Sequence, residues 1–143
     1  LAKSFLKKCR TKNSLFDTIL IIDTNNGKIL DEIDLMKKLP SNKNFIEILN
    51  ESYKLDKNYF CKNPLHLNDI QVIDNSDLKN LKESLPTIRK GDLILSFRSI
   101  NTIIFYDYKK SVIKHVIYNL FDKQHSPRIY KDGFLYVFDN NIK

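Results

Sequence analysis

The chain has 143 residues, 42% of them hydrophobic, with two cysteines, three glycines and a net charge of +7. That is long enough to bury a core, and the composition is that of a globular protein rather than a disordered tail. Its lysines are scattered through loops and strand ends, usually interrupted by Asp or Glu, with no basic helix or aromatic-plus-basic strand; the charge argues against a nucleic-acid module and suits an acidic small molecule.

Further classes fall away on spacing. The longest apolar runs are strand-length, so no membrane partner is expected. Cys9 and Cys61 have no metal-ligand spacing, and the residues leave open whether they form one disulfide or are two small apolar side chains. No phosphate-cradling glycine loop, carboxylate pair, Ser-His-Asp set or metal motif is present. The first residue is Leu1 and no signal-peptide pattern follows it.

In chain order, Leu1 to Asn13 is basic and reads as the end of a preceding element. SLFDTILIIDTNNGKILDEIDL then predicts a β-hairpin: Asp17 to Asp23 outward, Thr24 to Gly27 as the turn and Lys28 to Leu35 back, with Asn26-Gly27 supplying the positive φ angles of a tight turn. After Ser41 and Asn42, Phe45, Ile48, Leu49 and Tyr53 fall at helical spacing, which predicts a short amphipathic helix within an insertion. Asp56 to Pro64 reads as a loop. LHLNDIQVI, Leu65 to Ile73, alternates like a strand, and NSDLKNLKESL predicts one or two helical turns with Ser76 as N-cap and Leu78, Leu81 and Leu85 on one face before Pro86.

From Gly91 onward, DLILSFR, TIIFYDY, SVIKHVI and FLYVFD are short runs rich in Ile, Val, Phe, Tyr and Leu, separated by turn residues. Close spacing without helices between them predicts an antiparallel meander of a sandwich, barrel or propeller. TILIIDTNNGKILDEI and TIIFYDYKKSVIKHVI share a layout, a β-branched strand ending in Asp, a polar turn and a return strand. Such self-similarity suggests repeated blades. The expected fold is mainly β, about two blades of a β-propeller made of antiparallel four-stranded meanders, with one or two short helical insertions. Residues 1–35 are assigned to the outer hairpin of one blade, 36–64 to the insertion and loop, 65–119 to one blade and 120–143 to the start of the next. Two blades' worth of strands fall short of the four to eight that close a propeller, so the chain reads as a piece of a larger protein.

Four polar side chains invite chemistry. His66 and Asn68 are two apart in a predicted strand, hence on one face, with Leu67 and Asp69 on the other. Arg98 ends an apolar strand, and His125 stands in QHSP just before the next. On the innermost strands of adjacent blades they would converge on a central channel, where imidazole, amide and guanidinium suit an oxyanion. From spacing alone, a strand histidine is more often a packing residue and a strand-end arginine more often pairs with a surface carboxylate. His115, in KHVIY, keeps that packing reading.

The combination of LHLNDIQVI, GDLILSFRSINTIIFYD and QHSPRIYKDGFLYVFDNN resembles the arylsulfotransferase family of PAPS-independent bacterial enzymes and their relatives, which are β-propellers. The resemblance covers Leu65 to Asn140 well and the first hairpin weakly. It implies ping-pong transfer of a sulfuryl group from a phenolic sulfate ester to a phenol through a sulfated histidine. By this resemblance His125 matches the nucleophile, while His66, Asn68 and Arg98 match groups that hold the sulfate oxygens or assist the phenolate. No cofactor or metal is implied, because the ester carries the activated group, and the compartment implied is the periplasm or the outside of the cell. Two departures stand out: a further site histidine expected in an upstream blade has no counterpart, and Ser126 stands where relatives more often carry Asp or Thr. The excerpt by itself is therefore expected to be inactive, and the alternative function is a non-catalytic propeller that binds ligands or protein partners in the same pocket.

Overall fold

A computed structural model describes residues 14–81 and 84–141. The segment read as the end of a preceding element, Leu1 to Asn13, lies outside the described residues. The protein is mainly β, with antiparallel sheets of two, four and two strands and a few short helices. It divides into two compact units, with the boundary between Leu65 and His66.

In the first unit, β1 (Thr18–Ile22) pairs with β2 (Ile29–Asp34). The turn between them closes differently from the expected one. Only Gly27 is left-handed (φ 72°), and its N–H donates to the Asp23 carbonyl at 2.8 Å. Asn26 contributes side-chain bonds instead: its amide nitrogen donates to the Asp23 carboxylate, and its Oδ1 accepts the Lys28 N–H. Three helices follow, α1 (Leu35–Lys38), α2 (Lys43–Leu55) and α3 (Lys57–Lys62). Each begins on a side-chain cap that satisfies a free backbone N–H, from Asp34, Asn42 and Asp56 respectively.

Helix α2 buries Phe45, Ile48 and Leu49 as its spacing predicts. Helix α3 replaces the loop expected over Asp56 to Pro64. Its physical cause is the Asp56 cap together with Phe60 and Cys61, which are buried one after the other on a single turn; the Phe60 ring meets Tyr53 edge-on at 6.0 Å. Cys61 is disulfide-bonded, and the sequence holds one other cysteine, Cys9, outside the described residues.

The second unit is built on a four-stranded antiparallel meander: β3 (Leu67–Val72), β4 (Leu93–Phe97), β5 (Thr102–Asp107) and β6 (Val112–Tyr118), in that order. The two central strands are buried at nearly every residue, which explains why their sequences are continuous apolar runs rather than alternating ones. Helix α4 (Asn75–Leu81) lies between β3 and β4 in the chain. Its cap is Asp74 rather than Ser76: the Asp74 carboxylate accepts the N–H groups of Ser76 and Asp77 at 2.7 and 3.0 Å. Leu81 joins Ile73, Ile88, Ile94, Ile103 and Phe105 in the core, with Leu78 and Leu85 packed against them. A separate hairpin, β7 (His125–Ile129) with β8 (Leu135–Phe138), adds Ile129 to the same cluster.

The β1–β2 and β5–β6 hairpins are equivalent in register as well as in sequence. Thr18 faces Asp34 as Thr102 faces Tyr118, and both ladders slip by one residue at the matching step, Ile21/Ile22 and Phe105/Tyr106. In β6 the extra residue is Lys114. A bulge re-aims the side chain it carries, and here the Lys114 ammonium reaches Asp92 at 2.6 Å and Asp107 at 3.5 Å, with all three side chains largely buried. Burial pushes the Asp107 carboxyl up, but the Lys110 N–H and the Lys114 charge outweigh it and leave it below its ordinary value of 3.8. A carboxyl lowered in the folded state contributes stability that is present above the unfolded value and is lost as pH falls through the folded one. Lys114→Ala, which strands two buried carboxylates, is expected to lower unfolding free energy by about 3 kcal/mol at neutral pH. Denaturant titrations at neutral pH and below pH 3.8 test this: the deficit should shrink in acid, and a constant deficit would show that packing rather than charge is lost.

Candidate functional site

All four polar residues singled out from the sequence lie in the second unit, and the site is built where β3, the end of β4 and the start of β7 come together. Just before β3, His66 is left-handed (φ 53°), and its carbonyl accepts the Arg98 N–H at 3.1 Å. The two residues are thus neighbours across the end of the β3–β4 ladder, where Leu67 faces Phe97. Both are half-buried.

The alternation expected to place His66 and Asn68 on one face does not apply. His66 precedes the strand, and the β3–β4 register slips between Leu67 and Asp69, so that Asn68 is an extra residue on β3. This bulge is what turns its amide toward β7. Asn68 Nδ2 lies 2.7 Å from the Gln124 carbonyl oxygen and 3.0 Å from His125 Nδ1. The next residue, Asp69, also reaches β7, where both its oxygens accept from the Arg128 guanidinium at 2.8 and 3.2 Å. Two consecutive residues of β3 therefore hold one strand, a contact that strict period-two alternation forbids.

The residue that sets the height of His125 is one the sequence reading passed over. Gln124 is fully buried, and its amide nitrogen lies 3.1 Å from Ser96 Oγ, 3.2 Å from the Phe97 carbonyl and 3.1 Å from the Thr102 carbonyl. These groups flank the tight β4–β5 connection, which passes through a 3-10 turn over Arg98–Ile100 and a left-handed Asn101 (φ 48°). One buried amide thereby ties the turn carrying Arg98 to the strand carrying His125. Nothing in a lone glutamine between Lys123 and His125 announces burial; the only cue is that it directly precedes a strand.

Backbone strain gathers at the same place. Of the left-handed residues other than glycine, His66, Lys123 and Ser126 flank the site, with φ between 49° and 53°. Such conformations cost about 1 kcal/mol or more each and persist where surrounding bonds hold them. Lys123 is held by its N–H on Asn101 Oδ1 and its carbonyl on the Asn140 amide; the β7–β8 register slips directly after His125, next to Ser126. The His125 ring meets Phe138 across the hairpin at 6.2 Å. His115, by contrast, is exposed on β6, where its ring meets Phe105 at 6.0 Å, away from these residues.

As a chemical arrangement this is one amide on one imidazole, with a second histidine and an arginine joined to each other at the neighbouring strand end. Among the described residues no group of three or more His, Cys, Asp or Glu side chains is placed to hold a metal ion. No helix is long and apolar enough to cross a membrane, again among the described residues.

Gln124→Glu keeps the size of the side chain but points only acceptors at two carbonyls. It is expected to cost about 3 kcal/mol of unfolding free energy at neutral pH, read by urea denaturation. A change below about 0.5 kcal/mol, the range of a neutral surface substitution, would show that this amide does not hold the site.

Residues 2–143 match the family model described as Arylsulfotransferase (ASST). No curated protein and no solved structure matches the chain.

Proposed function

The chain belongs to the arylsulfotransferase family, and from that premise we propose that its parent protein transfers a sulfuryl group from a phenolic sulfate ester to a phenol, with His125 as the group that carries it between the two. The observation that supports this best is the meeting of residues distant in sequence: Asn68 lies 3.0 Å from the His125 ring, and His66 and Arg98 share a backbone hydrogen bond at the adjacent strand end. On this reading the four-stranded meander β3–β6 is one blade of a β-propeller, the β1–β2 hairpin the outer half of another, and the β7–β8 hairpin the inner half of a third.

In the first half-reaction a lone pair on the His125 ring attacks sulfur. The N–S bond forms as the bond from sulfur to the phenolic oxygen breaks. The three remaining sulfuryl oxygens carry negative charge that repels the incoming nucleophile, and a guanidinium at Arg98 offsets it. The electron pair of the broken bond leaves with the phenolate, which takes a proton from His66. In the second half-reaction an acceptor phenol gives its proton back to His66, its oxygen attacks sulfur, and the N–S bond breaks to restore the imidazole. The donor ester supplies the activated group, so the scheme uses no cofactor.

The test is incubation of the full-length parent with a chromogenic aryl sulfate and a phenol acceptor. Transfer is expected with the unaltered protein, abolished by His125→Asn and reduced roughly 100-fold or more by Arg98→Ala, with a sulfated His125 peptide recoverable when acceptor is omitted. Full transfer by His125→Asn would sink the assignment, and an aryl sulfate that binds without ever turning over would place the protein among non-catalytic binding modules.

A further inference from the structure

The side chain of Asn68 is oriented by a group that has no choice of role. A backbone carbonyl oxygen only accepts hydrogen bonds, so the Asn68 atom 2.7 Å from the Gln124 carbonyl is the amide nitrogen, and it donates. That same nitrogen lies 3.0 Å from His125 Nδ1. It has two hydrogens, one for each partner, and no lone pair available to accept from the ring. His125 Nδ1 therefore receives a hydrogen bond, and a ring nitrogen that receives one carries no proton. In a neutral imidazole the proton is then on the other nitrogen, Nε2.

We propose that Asn68 sets the tautomer of His125, holding the neutral ring with its proton on Nε2, and is in this sense a positioning residue for the imidazole. The consequence for sulfuryl transfer, which alone rests on the function proposed above, is that the resting ring offers a donor at Nε2 and not a nucleophile. The remaining lone pair, on Nδ1, is covered by Asn68. For Nε2 to attack sulfur its proton must leave and Nδ1 must gain one, and Nδ1–H needs an acceptor opposite it. Asn68 possesses one, Oδ1, which is buried and has no hydrogen-bond partner among the described residues. Turning the amide over would offer that acceptor to the ring, but it would also set Oδ1 against the Gln124 carbonyl oxygen, so the fold favours the Nε2–H ring and the Nδ1–H ring requires Asn68 to give up its bond to Gln124. Asn68 thus biases His125 toward presenting a proton at Nε2, and a lone pair for sulfur arises there only once the Asn68–Gln124 bond is released. Its place on the β3 bulge gives it that reach, since the extra residue is the one turned toward β7.

Nitrogen NMR of histidine-labelled protein reads the tautomer directly, because protonated and unprotonated ring nitrogens resonate far apart. With the His125 signals assigned from their loss in His125→Asn, the neutral ring of the unaltered protein is expected to show its proton on Nε2. Asn68→Asp, whose carboxylate only accepts, is expected to move that proton to Nδ1. A proton on Nδ1 in the unaltered protein would overturn the proposal, and so would an unchanged tautomer in a folded Asn68→Asp variant. The first of these measurements needs no variant and no substrate. Failure of sulfuryl transfer therefore leaves the tautomer readable, and an active protein with Nδ1–H would remove this inference while the transfer reading stands.

Discussion

A single buried amide holds the second unit's polar site together. Gln124 lies in the interior against Ser96, Phe97 and Thr102, and its neighbour His125 has no freedom to drift from the β4–β5 connection. Burying an amide is unfavourable unless its hydrogens are used. Here they are used on carbonyls at the very turn where Arg98 leaves β4. The backbone segments that carry Arg98 and His125 are consequently tied through the interior of the fold and not by surface loops, which is what a site needs if its groups are to meet a ligand in one geometry.

Bulges supply the second layer of organisation. Regular strands send consecutive side chains to opposite faces, so they cannot by themselves crowd polar groups onto one point. In β3 the extra residue is Asn68, in β6 it is Lys114, and in β7 the slip falls directly after His125. The slips in β3 and β6 aim a polar side chain away from the direction its strand dictates, and the one in β7 falls beside the imidazole. Two of the three serve the site. The third closes the far end of the sheet by bringing Lys114 to Asp92 and Asp107.

What could be read in advance follows from the same division. Strand positions were legible because Leu93–Phe97 and Thr102–Asp107 are unbroken apolar runs bounded by turn residues, and α2 was legible from Phe45, Ile48 and Leu49 after Asn42. The residues His66, Asn68, Arg98 and His125 were picked out by motif, yet the reason given for Asn68 was alternation, and the bulge is what brings it to His125. Helix α3 was missed because six residues are too few to show a period, though Asp56 ahead of Tyr59 was its cap. Gln124 was invisible, since a polar residue in a short connection gives no sign that its partners are carbonyls 27 and 22 residues earlier. Patterns of hydrophobicity report which segments pack; they say little about slips in register or about which amide is interior.

The seam between β3 and β7 differs in kind from the ladders on either side of it. β3 and β7 belong to separate sheets, and among the described contacts they are fastened by the Asn68 amide and by the Arg128–Asp69 ion pair. Ladder bonds tolerate almost any side chain, because the backbone makes them. A seam fastened by side chains has the reverse property: drift at Asn68, Asp69 or Arg128 loosens it, whereas the far end of the hairpin is held separately, by bonds to Asp132 and by the left-handed Gly133, where a side chain would meet the Asn80 carbonyl oxygen. The two ends of the hairpin thus answer to different anchors: His125, opposite Phe138 at the open end, to the Asn68 amide, and the tip to the Asn80 backbone.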